Sequence, residues 1–249
     1  MQQYFINQKF DVGDNVLLDK DSLYHLKKVL RKDSSYTFRV VSRESKIFHC
    51  HLVENDKVHI DKYLDENNEL DVDITCILAL LKVDKLELTI QKLVELGIKR
   101  IVLLNTNRCV AKVNDSKKID RLNKIIKEAS EQSHRNIIPE LIGPVNIKDL
   151  ELYKSRNNYL CYESEDSFNV ALGFDNSISY IIGPEGGFED KEVIEITDKG
   201  YKSVSLGKRI LRAETAAIYM TSVIVGNCQW KVMQWWFLVA KLMIMKQLM

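Results

Sequence analysis

The sequence predicts an α/β protein: a parallel sheet with helical crossovers, preceded by a smaller β-rich segment. Three observations lead there. From about residue 72, apolar runs of strand length alternate with segments whose apolar residues recur at helical spacing, the pattern of strand–helix–strand units. Before residue 64, short stretches alternate apolar or aromatic residues with polar ones, as half-buried antiparallel strands do. Between the two lies the polar, acidic run LDENNELD (64–71), which reads as a linker. A chain of 249 residues, 45% hydrophobic and 29% charged, has material for one good core or two smaller ones.

In the first segment, YTFRVVS (36–42), KIFHCHLV (46–53) and KVHIDKYL (57–64) read as strands separated by polar turns. DSLYHLKKVLRKD (21–33) reads as a short helix capped by Asp21 or Ser22, with Leu23, Leu26 and Val29 or Leu30 turned inward. A small barrel or open sheet with one helix fits. Then VDITCILALL (72–81) is a buried strand. The helix after it sets Leu86, Ile90, Leu93 and Val94 on one face and stops at Gly97. IVLLN (101–105) is a second buried strand. Residues 115–134 form a long helix with Ile119, Leu122, Ile125, Ile126 and Ala129 inward. NYLCYE (158–163) and ISYIIGP (178–184) are further strands, 189–200 a helix ending at Gly200, KSVSLG (202–207) a strand, and 213–225 the start of a last helix.

Net charge is +1, from 36 basic and 35 acidic residues, so any nucleic-acid footprint is local. The cysteines at 50, 76, 109, 161 and 228 form no CxxC pair and no familiar zinc pattern with the histidines. HCH at 49–51 puts His49 and His51 on one face of a strand, read as exposed polar residues more than as metal ligands; no metal is expected. Reduced thiols point to a cytoplasmic protein. The N-terminus lacks a basic start followed by an apolar core, so no signal peptide is expected. No apolar run is long enough for a confident membrane span.

Ligands of open parallel sheets bind beyond the C-terminal strand ends. Three such ends carry chemistry here: LCYES (160–164), IIGPEGGF (181–188) and SLGKRILRAETA (205–216). In the second, Gly183, Gly186 and Gly187 allow a close backbone approach and Pro184 stiffens the turn; a plain strand–helix turn is the competing reading. It matches neither GxGxxG nor a P-loop. In the third, Lys208, Arg209 and Arg212 alternate with Ile210 and Leu211, whose apolar side chains read as tucked against something; a solvated basic turn competes.

Together, IIGPEGGF and LGKRILRAETAA closely resemble the C-terminal signature of the RsmE family of 16S rRNA uridine-N3 methyltransferases, within the SPOUT superfamily. YHLKKVLR (24–31) looks like that family's N-terminal motif. KVDKLELTIQKLVELGI resembles its K…K.E..IQK..ELG segment, and EASEQSHRNIIPEL (128–141) its EA.EQ..R..IP.I segment. The matches run in family order from about residue 4 to about 224.

The resemblance implies a PUA-like RNA-binding β-barrel at 1–70 and, at 71–225, a SPOUT-type parallel sheet with a C-terminal trefoil knot. Its cofactor is S-adenosyl-L-methionine, its product a methyl group on N3 of a uridine in 16S rRNA or the small ribosomal subunit, and its usual state a homodimer. It places the cofactor against Leu160, Ile182, Gly183, Pro184, Glu185, Gly186 and Gly187, and against Leu206, Gly207, Ile210 and Leu211. The glycines would let backbone groups meet it, and Leu160, Leu206, Ile210 and Leu211 would wall the adenine. Arg212 is expected to stabilise charge on the uracil, with Glu185 and Glu214 as bases or hydroxyl anchors. RNA contacts are expected from Tyr24, His25, Lys27, Lys28, Arg31 and Lys32, and further from Arg108 and Arg135. A noncatalytic knotted RNA-binding or assembly factor, or a knotted methyltransferase with another nucleoside target, is the alternative.

The resemblance stops after AETAAIYMTSVIV. The apolar tail 226–249 has no Asp or Glu and holds all three tryptophans, Trp230, Trp235 and Trp236. It reads first as an altered terminus, against an extra packed helix or a membrane-surface helix. The N-terminus also departs from the family, with Gln2 and Gln3 where an Arg is usual.

Overall fold

The computed structural model describes residues 1–110, 115–163 and 176–228. In chain order the elements are β1 (Gln3–Phe5), β2 (Asn15–Leu17), α1 (Lys20–Tyr24), β3 (Thr37–Val41), β4 (Ile47–Leu52), β5 (Lys57–Leu64), β6 (Asp73–Ala79) and α2 (Val83–Glu95). There follow β7 (Arg100–Asn105), α3 (Ser116–Gln132), β8 (Glu140–Asn146), β9 (Asn157–Cys161), β10 (Ser177–Ile182), α4 (Asp190–Asp198) and β11 (Lys202–Val204). A further helix, α5, occupies 213–228. The chain divides into two compact units: Met1–Glu69 with Lys127–Ile138, and Leu70–Ile126 with the chain from Pro139 onward. The linker-like run thus marks a real change of unit, but the first unit also takes in the last turns of α3 and the residues after it.

The first unit is a five-stranded sheet in the order β1-β3-β4-β5-β2. β1 runs parallel to β3 and the other pairs are antiparallel. Alternation along β4 sends Phe48, Cys50 and Leu52 into a core shared with Tyr4, Phe10, Phe38 and Ile60. The α1 cap is Asp19, whose carboxylate accepts the Ser22 N–H at 2.9 Å, rather than Asp21 or Ser22 as expected. α1 widens into a π-helical turn at His25–Val29. That turn shifts the helical phase, so Leu26 is buried and Leu30 packs beside it, while Val29 is 58% exposed. The segment after α3 is fixed by polar groups. Glu69 binds the Arg135 guanidinium at 2.5 Å and accepts the Asn136 N–H at 2.8 Å, and Gln3 donates to the Arg135 carbonyl at 2.8 Å.

The second unit is a six-stranded sheet in the order β11-β9-β10-β6-β7-β8, with every pair parallel. Ile74 to Leu81 on and after β6 are buried, apart from the small remainder on Thr75, as a strand covered on both faces requires. α2 buries Leu86, Ile90, Leu93 and Val94. It ends in a Schellman turn, with Gly97 N–H on the Val94 carbonyl and Ile98 N–H on the Leu93 carbonyl. α5 is pinned to the sheet by the buried Tyr180 hydroxyl, 2.5 Å from the Thr221 hydroxyl, which itself donates to the Ala217 carbonyl at 2.8 Å. β8 has no counterpart among the strands read from the sequence. Its ELIGPVN holds a glycine and a proline, which weigh against a strand; it is tolerated because β8 lies at the sheet edge. The predicted strand 202–207 is formed only at Lys202–Val204. Of the apolar tail, residues 229–249 lie outside the described residues.

Candidate functional site

Strands β11, β9 and β10 are neighbours and parallel, so their C-terminal ends open on one side of the sheet. The three chemically loaded loops leave from those ends. They enclose a cavity of about 500 Å³, lined by Cys161, Tyr162 and Glu163 after β9, by Ile182–Glu185, Gly187 and Phe188 after β10, and by Ser205–Ala213 and Ala216 after β11. Lys85 of α2 completes the wall.

The β10 loop is a tight turn, its Gly187 N–H donating to the Pro184 carbonyl at 3.0 Å. Gly183 and Gly187 line the cavity, and side chains at all three glycines would also meet the protein's own groups. A Cβ on Gly183 would stand 2.7 Å from the ring of Phe188, which is 4% exposed in the core. A Cβ on Gly186 would stand 3.2 Å from that of Arg108, and Gly186 does not line the cavity. Gly187 has φ +71° and faces the Glu163 carboxylate. After the turn, Glu189 and Glu192 cap α4 reciprocally.

Charge is crowded at the rim. Lys208, Arg209 and Arg212 are exposed. The Arg212 carbonyl accepts the Ala216 N–H at 2.8 Å and so opens α5, which leaves the guanidinium at the cavity wall. The Lys85 ammonium lies 3.8 Å from Glu185 and 3.6 Å from Glu214. Glu185 also accepts the Lys82 N–H at 3.2 Å. The second Glu214 oxygen is buried with no hydrogen-bond partner among the described residues. Burial pushes the Cys161 thiol well up, so this cavity cysteine stays a neutral thiol and not a nucleophile.

Of the expected cofactor residues, all but Leu160 and Gly186 line the cavity. Leu160 is fully buried in the core beside Ile77 and Phe188. Ile210 is at the wall but 85% exposed, so it is not tucked away as its apolar nature indicated. Sequence reasoning missed Lys85 and Glu163 as wall residues. Yet a signal was present for both: Lys85 falls in the K…K.E..IQK..ELG segment and Glu163 in the LCYES strand end.

Of the expected RNA contacts, Tyr24, Lys28, Arg31 and Lys32 are exposed on the first unit, with the Lys32 ammonium 4.6 Å over the Tyr36 ring. Lys27 pairs with Asp56. His25 lies with Nδ1 at 3.0 Å from the Tyr4 hydroxyl. Arg108 is exposed on the second unit. Arg135 is a correction: it is 3% exposed and held by Glu69, so its charge is spent inside the protein and no phosphate reaches it. His51 pairs across strands with His59 and bonds Asp61. Among the described residues no group of three or more His, Cys, Asp or Glu is arranged to hold a metal.

Known proteins share this architecture. A ribosomal RNA small subunit methyltransferase E from Neisseria gonorrhoeae, solved with S-adenosyl methionine bound, superposes with a TM-score of 0.83 at 26% identity, over 90% of this chain and 96% of that one. A Legionella pneumophila protein described as a methyltransferase, solved with SAM bound, gives 0.84 at 29% identity over 90% and 97%. In sequence, the ribosomal RNA small subunit methyltransferase E of Mesomycoplasma hyopneumoniae is 39% identical over 149 residues, 57% of this chain and 65% of that protein. That of Bacillus subtilis is 34% identical over 171 residues, 63% and 66%. These alignments thus span a little under two thirds of the curated relatives' length. The family described as RNA methyltransferase domain matches residues 68–225, more than half of the chain and every wall of the cavity, and the protein belongs to that family.

Proposed function

We propose that the protein is an S-adenosyl-L-methionine-dependent methyltransferase that modifies N3 of a uridine in 16S rRNA of the small ribosomal subunit. One observation carries the reading: the loops bearing the signature segments meet around a single cavity of about 500 Å³, the size of a small-molecule site. The cavity suits the cofactor. It offers main-chain groups from three loops, half-buried Leu206 and Leu211 for an apolar base, and carboxylates of Glu163 and Glu185 for hydroxyl or cationic groups. Bound there, the cofactor supplies a sulfonium methyl group, already a reactive electrophile.

The protein's task is then alignment and charge control. Uracil N3 carries a proton that passes to solvent water; negative charge then spreads over the ring until N3 bonds the methyl group and the methyl–sulfur bond breaks. The exposed Arg212 guanidinium is the group to stabilise that charge. Glu185 and Glu214 are held by Lys85 and, for Glu185, by the Lys82 N–H, which favours anchoring roles over proton abstraction. Lys28, Arg31 and Lys32 would hold phosphates, with Tyr24 as a stacking face.

The same reading takes 1–70 as a PUA-like RNA-binding domain and 71–225 as a SPOUT domain. That reading includes a trefoil knot, with which the strand order is compatible: β10 follows β9 in the chain yet lies between β9 and β6. A homodimer acting in the cytoplasm completes it. No helix among the described residues is long and apolar enough to cross a membrane. The test is transfer of labelled methyl from S-adenosylmethionine to small-subunit particles and to deproteinised 16S rRNA, followed by nucleoside analysis. Label in N3-methyluridine is the expected result. Label in another nucleoside would redirect the target, and folded protein that binds no cofactor would favour a noncatalytic RNA-binding factor.

A further inference from the structure

The loop after β7 is fastened to the loop after β10 at three points. Asn107 donates its backbone N–H to Glu192 at 2.8 Å and its side-chain amide to Glu189 at 2.8 Å, so it engages both halves of the α4 capping pair. Arg108 Nη1 donates to the Gly186 carbonyl at 3.1 Å. That carbonyl shares one rigid peptide plane with the Gly187 N–H, which closes the turn onto Pro184. Two adjacent glycines leave this plane many accessible orientations. The Arg108 bond holds it from outside the turn, and the residues on either side, Glu185 and Gly187, line the cavity. A Cβ at position 186 would stand 3.2 Å from the Arg108 Cβ, close enough that one of the two must shift by a few tenths of an ångström.

A guanidinium has five donors in a fixed fork, and the Gly186 carbonyl uses one. The side chain is exposed. We propose that Arg108 is a positioning residue that couples RNA to the cofactor loop: one N–H fixes the Gly186 carbonyl while the free edge takes a phosphate oxygen of the RNA. The inference rests on the methyltransferase reading. RNA bound at the free edge holds the fork in place and with it the loop, so the cofactor binds more tightly. By linkage, bound cofactor strengthens RNA binding by the same factor.

The test is calorimetry of S-adenosylhomocysteine, which cannot react, on native protein, R108A and R108K. Each is titrated alone and with 16S rRNA or small subunits, whichever the native protein methylates. Without RNA, R108A should bind about tenfold more weakly, with an unchanged melting temperature because the side chain is on the surface. R108K should recover most of that loss, since an ammonium can also reach the carbonyl. RNA should tighten binding to the native protein by about fivefold and leave R108A unaffected. Native affinity in R108A would overturn the brace, and a native gain from RNA in R108A would overturn the coupling. A native protein that binds no S-adenosylhomocysteine would instead remove the methyltransferase reading on which both depend.

Discussion

Single residues at this site are decided by what surrounds them. Arg212 is exposed and Lys85 holds two carboxylates, so the first has charge to give a substrate and the second has largely spent it. Arg212→Ala should lower kcat about a hundredfold, a loss on the scale of one preorganised charge-stabilising donor, while the cofactor dissociation constant moves little. Equal losses in both, read by single-turnover kinetics and calorimetry, would remove the transition-state role. A second residue gives a pH signature. Burial pushes the Glu131 carboxyl from 4.5 up to about 7, against the pull of Lys127 and the Phe5 N–H; Asp19 and Glu128 add to the rise, and Tyr4 is the other ionisable group facing it. Between those values the folded protein holds a proton that the unfolded chain has lost. Stability therefore falls as pH rises from about 4.5 to 7, by on the order of 3 kcal/mol. Glu131→Gln keeps the shape without the charge and should remove that slope. Urea titrations of both proteins across this range check it; parallel slopes would refute it.

Individual elements were legible where their signal is local. Leu86, Ile90, Leu93 and Val94 lie on one face of α2 whatever packs against them, and Gly97 stops the helix by its own backbone geometry. β8 was not legible, because its Gly143 and Pro144 signal a turn and only the neighbouring β7 makes a strand of them. The Gly183 loop shows the same limit. Its glycine is visible in the sequence, but the partner that requires it, the buried Phe188 ring, is visible only in the packing. Gly183→Ala should therefore act through the core. A Cβ at 2.7 Å from the ring forces a shift costing about 1–3 kcal/mol, with cofactor affinity falling as the loop moves. Thermal unfolding and calorimetry on one preparation check both effects, and an unchanged melting temperature would show that the ring yields freely.

At the scale of the whole molecule, two units share one chain and one long helix. If the basic face of the first unit holds RNA, Lys28→Glu with Arg31→Glu should weaken binding and lower the slope of log K against log salt by roughly 1.5–2. Filter binding at several salt concentrations checks it, and an unchanged slope would move the RNA elsewhere. The sequence by itself determined the class of fold, the order of most elements, and the family, because hydrophobic period and motif order are properties of neighbouring residues. It also marked three chemically loaded loops after three strands, and those loops supply every cavity-wall residue but Lys85. Only the tertiary structure decided that those strands are adjacent, that 127–138 joins the first unit, that Arg135 is buried on Glu69, and that Arg108 grips Gly186. Each of these joins groups tens of residues apart, and a charge or a glycine looks the same in the sequence whether solvent, substrate or a distant side chain will meet it.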